Sequence, residues 1–248
     1  MYRLKDKVAI VTGASQGMGA AHARMMIEEG AKVVLTDVNV KEGHSLAEQL
    51  GENAIFVPHD VAKIRDWQRV MNAAAMAFGA VNVLVNNAGI IGSISNTIDL
   101  SIDDYRKVCD VNQTGVFLGM QHVLPIMKEH RQGSIINISS IAGIVAIYGA
   151  PNLAYVASKF AVRGMTKQVA VEYGSDNIRA NCIHPGYIRT PLMAAATNEE
   201  GGEAIAQIPL RRLAEASEVS NLVVFLASDE AAYITGTEQI IDGGMTAT

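Results

Sequence analysis

The sequence predicts a single α/β domain built on a doubly wound parallel sheet. Three observations lead there. Short apolar and β-branched runs alternate, along all 248 residues, with stretches whose apolar residues recur every three or four positions. Charged residues make up only 18% against 49% hydrophobic, as expected where strands are covered on both faces and apolar throughout. A glycine-rich turn, Thr12-Gly13-Ala14-Ser15-Gln16-Gly17-Met18-Gly19, joins the first strand to the first helix.

The elements follow in order. Strands are predicted at 8–11, 32–36, 54–57, 83–85, 134–138, 178–183 and 238–241, each a short run dominated by Val, Ile, Leu or Ala. Helices are predicted between them at 18–29, 41–50, 63–78, 102–129, 153–173 and 218–227. Ser101 and Asp104 have the spacing of a capping box at the start of the fourth. Strand–helix alternation of this kind gives right-handed crossovers and hence a parallel sheet. No linker, repeat or low-complexity stretch divides the chain, so residues 1–248 read as one domain. The interruption at 189–208, rich in Ala, Glu and Gly, is expected to form a lid beyond the carboxyl ends of the strands.

Composition excludes several functions. A formal net charge of -5 offers no surface for a nucleic-acid backbone, and the adjacent pair Arg211-Arg212 reads as a solvated loop. No apolar run reaches the roughly 18 residues of a membrane span. The charged residues 1–6 run straight into a strand and do not resemble a secretory signal. Cys109 and Cys182 are far apart in apolar surroundings, and the six histidines are scattered, so neither a disulfide nor a metal site is expected. These features point to the cytoplasm. The low charge content also suits a homo-oligomer, whose interfaces replace charged surface.

Tyr155 and Lys159 stand four residues apart on a predicted helix, and so share a face. A phenol ordinarily titrates near ~10, and a fixed ammonium nearby favours the phenolate. Tyr155 is therefore the candidate proton-transfer residue and Lys159 its tuner. The glycine turn brings backbone and a helix N-terminus to a pyrophosphate. Asp37 ends the second strand, where a carboxylate accepts hydrogen bonds from an adenosine ribose. A 2′-phosphate there would be repelled by about 1–4 kcal/mol per unit charge at ~4 Å. No Arg or Lys stands in the turn or at Val38 and Asn39, so NAD(H) is favoured over NADP(H).

Together these residues resemble the short-chain dehydrogenase/reductase family, whose fold is Rossmann-like. The resemblance covers essentially the whole chain. It includes the glycine turn, Asp60-Val61, Asn86-Asn87-Ala88-Gly89, Asn112, Ser139-Ser140, Tyr155-x-x-x-Lys159 and Pro185-Gly186-Tyr187-Ile188-Arg189-Thr190. It implies a catalytic tetrad of Asn112, Ser140, Tyr155 and Lys159, with Ser140 the second serine of its pair. Ser140 to Tyr155 is two residues longer than the family pattern. Asn112 is expected at a local distortion of the long helix, holding a proton-passing water. Cofactor contacts are implied for Gly13, Ser15, Gln16, Gly17, Met18, Gly19, Asp37, Asp60, Val61, Asn87, Ala88, Gly89, Tyr155, Lys159, Pro185, Gly186, Ile188 and Thr190. Gln16 and Asp37 match members that prefer NAD.

The implied reaction is hydride transfer between a nicotinamide and a secondary alcohol or ketone. An apolar wall of Ile144, Val145, Ile147, Tyr148, Pro151 and Leu153 with Leu192 and Met193 would suit a hydrophobic cyclic alcohol or a hydroxysteroid. A 3-oxoacyl-[acyl-carrier-protein] reductase is the alternative enzyme; Asp37, Gln16 and the acidic balance weigh against it. A non-catalytic NAD-binding sensor or scaffold is the alternative from another class, and it would have no need of the Ser-Tyr-Lys set. The family usually forms homotetramers through the helices at 102–129 and 153–173 and the C-terminal strand.

Overall fold

In the computed structural model, residues 2–146, 151–196 and 204–247 are described. Seven strands form one parallel sheet in the order β3-β2-β1-β4-β5-β6-β7. They are β1 (Val8–Thr12), β2 (Lys32–Asp37), β3 (Ala54–Pro58), β4 (Val83–Asn86), β5 (Gly133–Ile138), β6 (Ile178–Pro185) and β7 (Glu238–Ile241). All seven predicted strands form. The register pairs Val11 with both Leu35 and Val85, so β1 lies between β2 and β4. The order reverses there, and ligands bind beyond the carboxyl ends of strands at such a reversal.

Side chains alternate across the sheet and build two cores. Ala9, Val11, Val33, Leu35, Val83 and Val85 pack with Met26, Leu46 and Val223 on one side. These come from α1 (Gly17–Glu28), α2 (Val40–Leu50) and, near the C-terminus, the helix at Ala216–Ala227. Val8, Ile10, Val34, Leu84 and Ile135 pack on the other face against Trp67, Val123 and Val162. Those belong to α3 (Ile64–Ala77) and two long helices described next. Two covered faces explain the uninterrupted apolar strands and the low charge fraction.

The stretch expected as one helix from 102 is three pieces. α4 (Ile102–Cys109) and α5 (Gly115–His130) flank a π-helical turn at Asp110–Thr114. α6 (Leu153–Tyr173) follows β5. The 189–208 interruption contains two short helices that periodicity did not reveal, α7 (Pro191–Ala196) and α8 (Ala204–Gln207); α9 is Ala216–Ala227. The capping box expected at Ser101 is only half made. Ser101 Oγ accepts from Asp104 N at 3.1 Å, but the Asp104 carboxylate takes the Ser93 hydroxyl at 2.6 Å. A reciprocal box forms instead at α9, between Glu215 and Glu218. Among the described residues, no helix is long and apolar enough to cross a membrane.

Candidate active site

A groove of about 460 Å³ runs over the carboxyl ends of β1, β2, β3 and β4. Gly13, Gln16, Gly17, Met18, Asp37, Asp60, Val61, Asn87, Ala88, Gly89 and Thr190 line it. Its floor is close-packed backbone. Gly13 has φ +63°, and a Cβ there would lie 2.9 Å from Ala88 Cα. A Cβ on Gly19 would run into the Gly13 carbonyl oxygen, so Gly19 serves the packing of α1 on the turn. No side chain caps the start of α1, which leaves its N–H groups for a ligand.

The polar groups around this groove fit a dinucleotide. Asn87 Oδ1, on the groove, is buried without a hydrogen-bond partner, a costly condition that a ligand donor would relieve; Ser15 Oγ is likewise unpartnered but does not line the groove. Asn87 Nδ2 is anchored on the carbonyls of Thr12 and Gly13 at 2.9 and 3.1 Å. The Asp37 carboxylate accepts from Ser15 N and Asn39 N, each at 3.0 Å, and faces the same groove. Asp60 lines it too, but its carboxylate is engaged in its own loop, with Ala62 N at 3.1 Å and Lys63 Nζ at 3.0 Å.

A second, apolar cavity of about 180 Å³ shares Met18, Thr190 and Leu192 with the groove. Ser140 and Tyr155 stand on its wall. Ser140 Oγ caps the short turn Ile141–Gly143, accepting from Ala142 N at 3.1 Å. Ser139 Oγ points inward to the Lys159 carbonyl at 2.9 Å. The second serine is therefore the one beside the phenol. Burial raises the Tyr155 pKa, and a hydrogen bond from Ser140 pulls it back. Pro185, Gly186 and Ile188 fall in this apolar cavity, whereas Thr190 borders both spaces.

Lys159 is placed differently from the sequence expectation. Its ammonium lies 5.5 Å from the centre of the Tyr155 ring and donates to the Ile138 carbonyl at 2.9 Å. Burial lowers its own pKa to about 8, and the Tyr155 phenol is held above, not below, its ordinary value. Asn112 sits in the π-helical turn, fully buried. Its Oδ1 accepts from Ile90 N at 2.9 Å, while its Nδ2 donates to Ile90 O at 2.9 Å and Ser158 Oγ at 3.0 Å. Both side-chain amide hydrogens are thus engaged within the protein. A Cβ on Gly89 would lie 3.3 Å from Asn112 Oδ1 and 3.5 Å from Lys159 Nζ, so these three residues converge.

The apolar wall is largely not the one expected. Leu192 and Met193 belong to it, but Ile91, Ile94, Ile141, Val156 and Tyr187 supply the rest. Val145 and Leu153 are exposed, and Ile144 and Pro151 are not among the lining residues. Ile147 and Tyr148 lie outside the described residues. Helical spacing accounts for Leu153: positions 152, 155 and 156 share the face toward the cavity, and 153 does not. Sequence reasoning also missed Asn152. Its Oδ1 caps α6 by accepting from Tyr155 N at 3.1 Å, and its Nδ2 donates to Ile91 O at 2.9 Å. An Asn just before a periodic stretch was the available signal. Among the described residues, no cluster of three His, Cys, Asp or Glu side chains is placed to hold a metal ion.

A seven-stranded sheet in this order, with a glycine cradle and a Ser-Tyr wall at its reversal, is the architecture of one class of dinucleotide-binding proteins. The chain belongs to the short-chain dehydrogenase/reductase family. The profile of a family described as enoyl-(acyl carrier protein) reductase matches residues 13–246. The chain is 48% identical to 3-alpha-(or 20-beta)-hydroxysteroid dehydrogenase of Mycobacterium tuberculosis, over 99% of this chain and 91% of that one. It is 43% identical to trans-4-hydroxycyclohexanecarboxylate dehydrogenase of Sinomonas cyclohexanicum, over 99% and 95%. The crystal structure of levodione reductase superposes with a TM-score of 0.95 at 34% identity, covering 99% of this chain and all of the other.

Proposed function

We propose that this protein is an NAD(H)-dependent oxidoreductase interconverting a secondary alcohol and a ketone on an uncharged, hydrophobic, cyclic substrate. The observation that carries this reading is the placement of Ser140 and Tyr155 on the wall of an apolar cavity that opens, at Met18, Thr190 and Leu192, onto the dinucleotide groove. The names of the relatives, a hydroxysteroid dehydrogenase and a trans-4-hydroxycyclohexanecarboxylate dehydrogenase, support a cyclic alcohol, and the apolar cavity supports an uncharged one.

Each residue then has a role. A nicotinamide held beside Ile188 and Thr190 would supply or accept the hydride at the substrate carbon. Tyr155 gives a proton to the carbonyl oxygen in reduction and takes it back in oxidation. Ser140 donates a hydrogen bond to the same oxygen and fixes its position. Lys159, positive and close to the ring, stabilises the phenolate. Asn112 holds the loop at Ile90 against α6 through Ser158. Gly13, Ser15, Gln16, Gly17, Asn87, Ala88 and Gly89 receive the phosphates and riboses, and Asp37 accepts from the adenosine ribose, which selects against a 2′-phosphate. Ile188 and Thr190 hold the carboxamide end.

An acyl thioester is the second reading, favoured by the description of the matching family. The charge pattern opposes it. Residues 141–158 contain no charged side chain, and 190–210 contain Glu199, Glu200 and Glu203 but no Lys or Arg. The nearest cations in the sequence, Arg189, Arg211 and Arg212, flank the latter stretch, and Arg189 and Arg212 are paired with Glu215 and Glu218. Initial rates with cyclohexanol, a hydroxysteroid and a 3-oxoacyl thioester, each with both cofactors, test the assignment. Turnover of the cyclic alcohols with NAD supports it; preference for the thioester with NADPH overturns it, and silence on every substrate favours a nucleotide sensor. We infer a homotetramer, supported by exposed Phe117, Phe160 and Val171 on α5 and α6; light scattering gives the subunit count.

A further inference from the structure

The turn that carries Ser140 is held from beneath by two ionisable side chains, His184 and Arg163, that the reaction itself does not use. His184, near the end of β6, has a fully buried side chain. Its Nδ1 lies 2.8 Å from the Ser140 carbonyl oxygen. A carbonyl only accepts, so Nδ1 carries the proton and donates. On the other side of the ring, Nε2 lies 3.5 Å from Glu238 Oε2 and has no hydrogen-bond partner.

Arg163, on α6, reaches the far end of the same turn. Its NH1 group donates to the Gly143 carbonyl at 2.9 Å, and its Nε pairs with Glu238 Oε2 at 2.8 Å. Lys167, one helical turn on, pairs with Glu238 Oε1 at 2.6 Å. The Glu238 carboxylate on β7 therefore anchors Arg163, while His184 and Arg163 grip the two ends of Ser140–Gly143. The turn has little slack elsewhere. Ser139 Oγ is bonded to the Lys159 carbonyl at 2.9 Å, and a Cβ on Gly143 would lie 2.8 Å from that same carbonyl oxygen.

We propose that His184 and Arg163, the latter anchored by Glu238, are positioning residues that set the Ser140 hydroxyl against Tyr155 by clamping the two ends of its turn. This rests on the reading of Ser140 as the residue that orients the substrate oxygen. Ser140 itself is extended, with φ -169° and ψ 165°, and its hydroxyl accepts from Ala142 N within the same turn while bonding the Tyr155 phenol. Its hydroxyl is thus placed by its backbone, and the backbone is placed by the clamp. A misplacement of about 1 Å at a reacting group can cost on the order of 100-fold in rate, and loss of an outer-shell orienting contact roughly 10- to 100-fold.

The test is a set of mutant cycles on the intact enzyme, read as kcat and KM for cyclohexanol and as the NADH dissociation constant. His184→Leu should lower kcat roughly ten-fold with NADH binding unchanged. His184→Asn, whose amide can donate from near the Nδ1 position, should recover most of that loss. In a Ser140→Ala background, His184→Leu should add little further loss, because the group it positions is gone. Arg163→Met, which frees the Gly143 carbonyl from the more solvent-exposed side, should behave the same way and decides the matter if His184→Leu no longer binds NADH. Equal loss of kcat with and without Ser140, or Asn no better than Leu, overturns the clamp. Full turnover by Ser140→Ala alone would instead overturn the catalytic reading beneath it.

Discussion

The Lys159 ammonium lies 5.5 Å from the centre of the Tyr155 ring, yet its hydrogen bond goes to the Ile138 carbonyl at 2.9 Å. The charged form of both groups is disfavoured by burial. Burial raises the phenol and lowers the amine to about 8. On the proposed reading, proton transfer at Tyr155 therefore needs every positive influence the site can bring to the phenolate. Replacing Tyr155 by Phe removes the proton donor and leaves the groove untouched. The expected outcome is at least ~100-fold lower kcat with an unchanged NADH dissociation constant, measured by steady-state kinetics and fluorescence titration.

Asp37 is held by Ser15 N and Asn39 N at 3.0 Å each, with one face toward the groove. Asp37→Ala combined with Val38→Arg removes the repulsion for a 2′-phosphate and supplies a cation. The ratio of kcat/KM for NADP to that for NAD should rise at least ~10-fold, on the scale of a single charge interaction near a surface. An unchanged ratio would place the discrimination elsewhere.

Asn152 joins the first turn of α6 to the loop after β4 through Tyr155 N and Ile91 O. Asn152→Ala removes a helix cap worth about 1 kcal/mol. In a chain of this size that corresponds to a fall of roughly 2–4 °C in Tm by calorimetry. Turnover should also fall, by less than for Tyr155→Phe, since the phenol remains but its helix start is loosened.

Acid sensitivity follows from two buried histidines. His22, bonded through Nδ1 to Ser220 Oγ at 2.8 Å, is lowered to about 3 by burial, and His59, bonded to Thr36 Oγ1 at 2.9 Å, to about 4. The unfolded chain binds these protons near ~6.5, so between that pH and the folded values it holds more protons than the native state. Stability from both groups is therefore full above pH ~6.5 and is lost as pH falls toward 4 and then 3. The slope is at most about 1.4 kcal/mol per pH unit for each histidine. Urea midpoints at pH 7, 6, 5 and 4 should decline steadily, and His22→Gln with His59→Gln should flatten the decline.

Much of this protein was readable from residue order alone, because the signals are local. Apolar runs separated by periodic stretches specify all seven strands and most helices, since covering both faces of a parallel sheet demands continuous apolarity. A four-residue spacing puts Tyr155 and Lys159 on one helix face, and a glycine turn between strand and helix marks the cradle. The family resemblance names Ser140; the tertiary structure alone decided where the Lys159 hydrogen bond goes and which residues wall the cavity. It also decided that Ser140, on the turn after β5, rests on His184 of β6, 44 residues away in the chain. Such contacts join segments whose separation no local periodicity records. Their geometry is set when the sheet brings strand ends together and loops settle into whatever hydrogen bonds remain unsatisfied there.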